Sequence, residues 1–386
     1  MKSILLLAFF LFAPGLSAAT IDQRAFPKTD EGYAYPDPEV PLTFPYDHGD
    51  HPEFAIEWWY ITGHLRPTDT EDHPFAFQIT FFRYSAPLET NEGPPDDPVF
   101  GTRTMFLAHA ALMDIPREAF FHQEKLNRLG WNAYSRSGTL DMANGSWSLV
   151  ALDFNADGDP DPFRFKGSIH SDVDLQLTFR PTQKRVLFGD RGVSRKGSSP
   201  ESASYYITFP RLQVEGRIRV EGTPYAVEGQ AWMDHEISSN QLEDDQEGWD
   251  WVQMQLFDGT EIMAYRLRRK DQTTAPYSFF NWIDADGRVT EVKANDFQWI
   301  PGRPWTSEVT GATYPIGPTL FVNHPRSGER QTYRVVPRVE ASEMPGELGG
   351  ISYWEGAVDI YDENEKHLGI GFLELTGYAQ DLSERL

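Results

Sequence analysis

Short runs rich in β-branched and aromatic residues, separated by turn signals, constrain the fold of this chain more than any other feature. Helical periodicity is scarce, and the clearest of these runs are 57–65, 75–83, 105–113, 172–180, 203–210, 251–256, 261–267 and 372–378. Turn dipeptides such as Asn144-Gly145 and Asp258-Gly259 lie between them, as hairpins require. Strands this short and closely spaced predict an all-β fold, an antiparallel sandwich or barrel. One short helix is predicted around Pro116–Arg128, with a loop turn as the alternative.

The length of the chain favours two domains. Its 386 residues, 40% of them hydrophobic and 14% aromatic, can form one very large core or two ordinary ones, and two are the more common outcome. A faint repeat relates segments 59–81 and 225–255, each with a glycine-containing strand before an aromatic strand carrying a central Gln. It places a boundary near Val220–Val227. We therefore expect an N-terminal domain over residues 20–222 and a C-terminal domain over residues 223–386.

The first nineteen residues have the layout of a secretory signal peptide. Lys2 supplies a positive charge, Ile4–Phe12 an apolar stretch, and Ser17-Ala18-Ala19 a small-residue cleavage site. The apolar stretch is too short to span a bilayer, and a chain without cysteine has neither a disulfide nor a lipoprotein anchor. Residues 1–19 are thus expected to be removed, giving a periplasmic or secreted protein without a firm membrane anchor.

The charge of the chain argues against two classes of partner. Its formal net charge is -24, whereas nucleic acids and anionic lipid surfaces select proteins rich in Lys and Arg. We expect no nucleic-acid partner.

The segment 229–251 places three adjacent titratable residues among large aromatic rings. The titratable residues are Asp234, His235 and Glu236, and the rings belong to Trp232, Trp249 and Trp251. This is the composition of an acid–base site in an apolar pocket, where burial raises carboxyl pKa values and lowers those of imidazoles. The alternative is a buried strand whose polar groups pair with the backbone or with Arg266 and Arg268.

Strand geometry limits how this triplet can work. In a regular strand Asp234 and Glu236 share one face and His235 takes the other, unless a bulge near Ser238 relaxes the alternation. We expect His235, partnered by Asp234 or Glu236, to handle protons. Tyr265, on the next strand of a hairpin closed by Asp258-Gly259, is expected to reach the same space. The three tryptophans and Tyr265 are predicted to border one apolar pocket in the second domain.

The run Glu57–Tyr60 is a second candidate for the ligand pocket. Glu57 and Trp59 are predicted to contact substrate, and the alternative is that Trp58 and Trp59 close one end of a barrel as core residues.

Other motifs do not predict a cofactor or a metal. His48, His51 and His64 could join Glu57 or Asp50 in a metal site, but no His-Glu-x-x-His follows and the first two lie in an irregular loop. Asp153–Asp159 resembles the start of a calcium loop, yet Arg164 occupies the twelfth position, so an acidic hairpin turn is favoured. Nucleophile-elbow, phosphate-loop and dinucleotide motifs are lacking.

Several long motifs resemble the AttH-like and carotenoid hydratase (CrtC) family. They are Asp47–Pro52, Glu57–Leu65, Gln78–Arg83, Ala108–Leu112, Lys196-Gly197, Ala203–Tyr206, Ala231–Glu236, Gly248–Trp251, Tyr265–Arg268, Tyr353–Val358 and Gly371–Tyr378. The resemblance extends from about Asp47 to Tyr378. It implies two lipocalin-like antiparallel β-barrel domains packed together, with an elongated apolar cavity. Relatives include hydratases that add water to a carotenoid double bond.

The hydratase pattern carries over only in part. It pairs a His-x-Trp with a later Tyr-x-Asp, and here His235 and Tyr265 match while Ile237 and Leu267 replace the Trp and the Asp. The proton donor of that pattern is therefore missing, and Asp234 or Glu236 is the alternative acid.

Two functions follow from these observations. The first is an exported enzyme of the lyase or isomerase type, which hydrates, isomerises or cyclises a long hydrophobic substrate by acid–base catalysis without a cofactor. The second is a periplasmic lipocalin-type carrier that holds a lipid or polyene without changing it.

Overall fold

The protein is built almost entirely of antiparallel β-strands. A computed structural model describes residues 24–70, 72–85, 104–348, 351–380 and 382, so the predicted signal peptide lies outside the described residues. Within them, the helical elements are single 3-10 turns at Tyr46–His48 and Ile115–Arg117. No helix in this part of the chain is long and apolar enough to cross a membrane.

The first sheet takes up strands β1 to β13. Their spatial order is β4-β3-β2-β1-β13-β12-β9-β8-β7-β6-β5, with β10 and β11 also paired to β12. The strands are β1 (Ile56–Pro67), β2 (Phe75–Tyr84), β3 (Met105–Asp114), β4 (Ala119–Arg128), β5 (Ala133–Ser135), β6 (Asp141–Asn144), β7 (Trp147–Ala151), β8 (Phe163–Ile169), β9 (Val173–Pro181), β10 (Val186–Leu187), β11 (Val193–Arg195), β12 (Ala203–Val220) and β13 (Thr223–Asn240). Asn144 brings the two ends of the sheet together, since its Nδ2 donates to the carbonyls of Phe106 and Lys125 at 3.0 and 3.1 Å.

The second sheet begins at Gln246. Its order is β17-β16-β15-β14-β25-β24-β22-β21-β18, with β23 paired to β24 and a separate β19-β20 hairpin. The strands are β14 (Gln246–Leu256), β15 (Glu261–Arg269), β16 (Phe279–Ile283), β17 (Val289–Lys293), β18 (Phe297–Ile300), β19 (Arg303–Thr306), β20 (Thr313–Ile316), β21 (Thr319–Asn323), β22 (Arg330–Pro337), β23 (Glu343–Met344), β24 (Tyr353–Tyr361) and β25 (His367–Thr376).

The predicted fold class is confirmed, because both sheets are antiparallel, barrel-like and nearly closed. The predicted helix around Pro116–Arg128 is wrong. After the turn at Ile115–Arg117, residues Ala119–Arg128 pair along their whole length with the buried strand β3, so tertiary pairing decides their conformation.

The change of sheet comes after the residues at which the sequence places the domain boundary. Residue 222 lies in the turn between β12 and β13 and residue 223 begins β13, and both of these strands belong to the first sheet. Segments 59–65 and 225–231, the first strand of each copy of the faint repeat, lie in neighbouring strands of that sheet because β1 pairs with β13.

Of the five apolar clusters in the described part of the chain, the three largest organise the interior. One fills the first barrel, one fills the second, and the third lies where the outer faces of the two sheets pack together. Strand β13 contributes side chains to two of these clusters, because consecutive side chains along a strand point to opposite faces. Its Ala231 and Met233 point into the first barrel, whereas Trp232 points into the contact between the sheets.

Candidate active site

Two rows of side chains face each other where the sheets pack together. In the first sheet, cross-strand pairing aligns Asp234 with Tyr60, Thr80 and His109. In the second sheet, it aligns Tyr265 with Trp251, Glu374 and Glu355. Directly opposed residues of antiparallel strands have neighbouring side chains, so each row is continuous. The rows meet where the hydroxyl of Tyr60 donates to Glu355 Oε1 at 2.7 Å.

A cavity opens between these rows. It holds about 810 Å³ of empty space, including its open mouth. Its wall combines many aromatic rings with convergent polar groups, as small-molecule sites do. The lining residues are Ile56, Trp58, Tyr60, Gln78, Thr80, Phe82, Tyr84, Leu107, His109, Tyr206, Asp234, Glu236, Gln241, Trp249, Trp251, Tyr265, Ile351, Tyr353, Glu374 and Thr376.

Asp234 is a cavity carboxyl of the first sheet, and it accepts three side-chain hydrogen bonds. Its Oδ1 accepts from Thr208 Oγ1 at 2.6 Å and from Trp232 Nε1 at 2.8 Å, and its Oδ2 accepts from the hydroxyl of Tyr206 at 2.7 Å. Burial raises the pKa of Asp234 to about 7, and the donors of Thr208 and Tyr206 oppose that rise. Near neutral pH this group can therefore give or take a proton.

Glu374 is the corresponding carboxyl of the second sheet. Its Oε1 accepts from Trp249 Nε1 at 2.8 Å and from Thr376 Oγ1 at 2.7 Å. Burial raises the pKa of Glu374 to about 7. Both contacts use Oε1, so Oε2 can present a proton to a molecule in the cavity.

Glu355 lies directly across the strand pair from Glu374. It is fully buried, and burial, followed by the charge of Glu374, raises its pKa well above the ordinary range. Two neighbouring carboxyls in an apolar setting cannot both ionise without a large cost, so Glu355 keeps its proton.

A tyrosine and a histidine form the opposite polar wall. The hydroxyl of Tyr353 lies 2.7 Å from His109 Nδ1 and accepts from Gln78 Nε2 at 2.6 Å. Burial lowers the pKa of His109 to about 3, so the imidazole is neutral near neutral pH. This wall offers hydrogen-bonding groups without a charge.

His235 lies on the other face of β13 and does not reach the cavity wall. Its Nε2 donates to Glu57 Oε1 at 2.8 Å, and its ring stacks on Trp59 with centroids 4.6 Å apart. Burial lowers its pKa, while Glu57 opposes that change. The structure thus does not bring His235 together with Asp234 or Glu236, because consecutive side chains of a regular strand alternate between faces.

Glu57 is the centre of a buried ion-pair network. Besides His235, it accepts from His51 Nδ1 at 2.8 Å and from Arg83 Nε at 3.1 Å. His51 Nε2 donates to Asp47 at 2.8 Å, and the two carboxylates raise the pKa of His51 to about 10 despite its burial.

The same residues could be taken for a metal site. Ligand atoms of His51, Glu57 and His235 lie within 4.8 Å of one another. However, both oxygens of Glu57 already accept hydrogen bonds, and Arg83 compensates its charge. We therefore assign the network a structural role, which holds the loop Asp47–His51 against the end of the first barrel.

The structure separates the predicted site residues into three groups. Asp234, Glu236, Tyr265, Trp249 and Trp251 line the cavity, although it lies between the sheets rather than within the second domain. Trp232 packs behind them, edge-on to Trp251 with centroids 6.4 Å apart. His235, Glu57 and Trp59 belong to the buried network.

Sequence reasoning missed Glu374, Glu355, His109 and Tyr353 as site residues, and it included Tyr60 only as the end of the run Glu57–Tyr60. A signal was available for the two glutamates, since each interrupts an apolar strand: Leu373-Glu374-Leu375 and Trp354-Glu355-Gly356.

Leu267, which stands where the hydratase pattern has an aspartate, packs in the apolar contact between the sheets. Asp153–Asp159 forms a hairpin turn in which Asn155 Oδ1 accepts from the backbone of Asp157 and Asp159.

Comparisons with known proteins agree with this architecture. A family described as AttH-like matches residues 35–378. The crystal structure of a protein assigned as AttH from Nitrosomonas europaea is 34% identical, with a TM-score of 0.75 over 89% of this chain and 99% of that chain. Kievitone hydratase from Nectria haematococca is 16% identical, with a TM-score of 0.65 over 92% of this chain and 99% of that chain, and therefore shares the fold. No curated protein matches the chain.

Proposed function

This chain belongs to the AttH-like family, and from that premise we propose that it is a hydratase-like enzyme. Its reaction is the addition of water to a carbon–carbon double bond of a hydrophobic substrate held between the two sheets. The observation that carries the proposal is the pair Asp234 and Glu374. They line one aromatic cavity from opposite sheets, and burial raises the pKa of each to about 7.

Hydration of an alkene makes three physical demands. It needs an acid that protonates carbon, electron-rich faces that stabilise the resulting cation, and a positioned water. Glu374 is the better acid, because its accepted hydrogen bonds leave Oε2 for the substrate. The rings of Trp58, Trp251 and Tyr265 border the same space, where they can face a developing positive charge.

The similarity to kievitone hydratase supports this proposal only at the level of fold. The cavity gives the chemical support, since it combines proton-bearing carboxyls with apolar rings. A carrier would need the rings but would gain nothing from carboxyls whose burial is unfavourable.

Isotope incorporation tests the proposal. Purified protein is incubated with kievitone or with the carotenoid lycopene in water enriched in heavy oxygen, and products are analysed by mass spectrometry. We expect a product that has gained one labelled water. Glu374→Gln should reduce its formation by about a hundredfold or more, the usual contribution of one acid–base group, and Asp234→Asn should reduce it in the same direction.

Glu215→Gln is the matched control, since Glu215 is an exposed residue of β12. Wild-type turnover in both cavity variants would contradict the proposed acids. Extraction of an unmodified lipid or polyene from the native protein, with no labelled product, would favour the carrier.

We also propose that the protein is exported to the periplasm or secreted, on the basis of residues 1–19. Cell fractionation combined with N-terminal sequencing of the mature chain tests this proposal. A cytoplasmic protein that begins at Met1 would contradict it.

A further inference from the structure

We infer that Glu236 is the general base that deprotonates the attacking water, and that Lys196 is the positioning residue that keeps Glu236 in its carboxylate form. This inference rests on the proposed function and assigns separate duties to the cavity carboxyls. Asp234 and Glu374 carry protons, whereas Glu236 is held ready to accept one.

The geometry around Lys196 supports this division. Lys196 is only 1% exposed, and its Nζ lies 3.2 Å from Glu236 Oε2. The ammonium also sits over the rings of Tyr265 and Tyr206, at 4.5 and 4.8 Å from their centroids. Such rings favour a cation through their negative faces. Burial lowers the pKa of Lys196, and the charge of Glu236 opposes that change, so the carboxylate and the ammonium support each other.

Among the residues that the structure describes, the contacts to the carboxylate of Glu236 are made at one oxygen. Ser204 Oγ donates to Oε2, the same oxygen that contacts Lys196. Glu236 also lines the cavity, so its Oε1 can accept a hydrogen bond from a water beside the substrate. The ionisable groups that interact with it are Asp234 on the same strand, Tyr206 on β12, Tyr265 on β15, Glu374 on β25, and Lys196.

The negative charge of Glu236 has a second consequence. It raises the pKa of both Asp234 and Glu374. An ionised base therefore helps the neighbouring acids to retain their protons, as when two carboxyls of one site are driven to different protonation states.

The resulting step is balanced in atoms and charge. The O–H bond of Glu374 breaks as a C–H bond forms at one alkene carbon, and the π electrons supply that bond. A water oxygen then bonds to the other carbon, and Glu236 takes one proton from that water. The return of this proton to Glu374 restores both groups, so no oxidant or reductant is needed.

Dicyclohexylcarbodiimide tests the protonation states without a substrate. This apolar reagent adds to proton-bearing carboxyls and leaves a stable acylurea that peptide mass spectrometry can locate. At neutral pH we expect labelling of Glu374 or Asp234 and protection of Glu236. In Lys196→Met, labelling of Glu236 should rise roughly tenfold or more, because a neighbouring opposite charge favours an ionised carboxyl by about that factor.

The absence of cysteine allows a matched rescue. Lys196→Cys is alkylated in two ways, with bromoethylamine, which rebuilds an ammonium of similar length, and with iodoacetamide, which leaves a neutral group. Intact mass verifies each modification, and circular dichroism verifies the fold. Glu236 should be protected in the aminoethylated form and labelled in the neutral form. Lys196→Arg keeps a positive charge without chemical modification, so Glu236 should be protected in this variant as it is in the aminoethylated form.

The outcomes separate the inference from the proposed function. Labelling of Glu236 in the wild type as strong as that of Glu374 would overturn the inference. Protection of Glu236 in Lys196→Met, or in the iodoacetamide-treated Lys196→Cys protein, would overturn it as well. Wild-type protein in which neither Glu374 nor Asp234 reacts would instead contradict the proposed acids.

Deuterium exchange tests the role of the base directly. With kievitone as substrate in heavy water, the hydration rate of Glu236→Gln should be about a hundredfold lower than that of the wild type. The variant should still exchange deuterium into the alkene carbon, because Glu374 can transfer a deuteron to that carbon and then remove a proton from it. Hydration that survives Glu236→Gln, or loss of exchange together with hydration, would contradict the assignment.

Discussion

The buried network around Glu57 should stabilise the fold strongly, and Glu57→Gln is the most direct perturbation of it. Glu57 is fully buried and accepts from His51, His235 and Arg83. The substitution keeps the shape of the side chain, removes its charge, and turns one acceptor into an amide donor that faces other donors. Breaking a buried pair in this way costs about 3–5 kcal/mol.

The pKa of His51 gives an independent magnitude. A rise from 6.5 to about 10 corresponds to about 5 kcal/mol at 1.36 kcal/mol for each unit. Because the folded-state pKa is raised, this stabilisation is fully present below pH 6.5 and is lost as the pH rises through about 10. Asp47 contributes to this rise together with Glu57, so Glu57→Gln removes only part of it.

Urea unfolding followed by tryptophan fluorescence measures the difference. We expect Glu57→Gln to lower the free energy of unfolding by about 3–5 kcal/mol at neutral pH, with a smaller difference above the pKa of His51. Glu228→Gln is the control, since the exposed pair of Glu228 with Arg66 should contribute no more than about 1 kcal/mol. Equal stability of the two variants, or a difference independent of pH, would refute the structural role of the network.

Three further predictions follow from the placement of the cavity and the network. The hydration rate should decline as the pH rises through about 7. The raised pKa values of Asp234 and Glu374 mean that fewer of these carboxyls carry a proton above that pH. A pH–rate profile that rises across this range would contradict the acid role. His235→Ala should lower the unfolding temperature while turnover per folded molecule falls much less than the roughly hundredfold loss of an acid–base group, since His235 binds Glu57 rather than the cavity. Tyr60→Phe should cost about 1–3 kcal/mol in unfolding experiments, because Glu355 loses its donor; unchanged stability would show that this contact is not needed.

The sequence by itself determined the fold class and one side of the site. Alternation and turn dipeptides predict antiparallel strands, because side-chain period and turn chemistry are local properties of the chain. The same alternation predicts that Asp234 and Glu236 share a face that His235 does not, and β13 keeps this arrangement without a bulge at those residues.

Only the tertiary structure decided which groups meet across the cavity. Tyr60 and Glu355 are 295 residues apart along the chain, and no local pattern indicates which faces of two sheets will pack together. The sheet membership of β13 was decided in the same way, since a strand satisfies its backbone hydrogen bonds with whichever neighbours the fold provides. The protonation of Glu374 and Glu355 depends on burial and on neighbouring charges, which exist only after the sheets have packed.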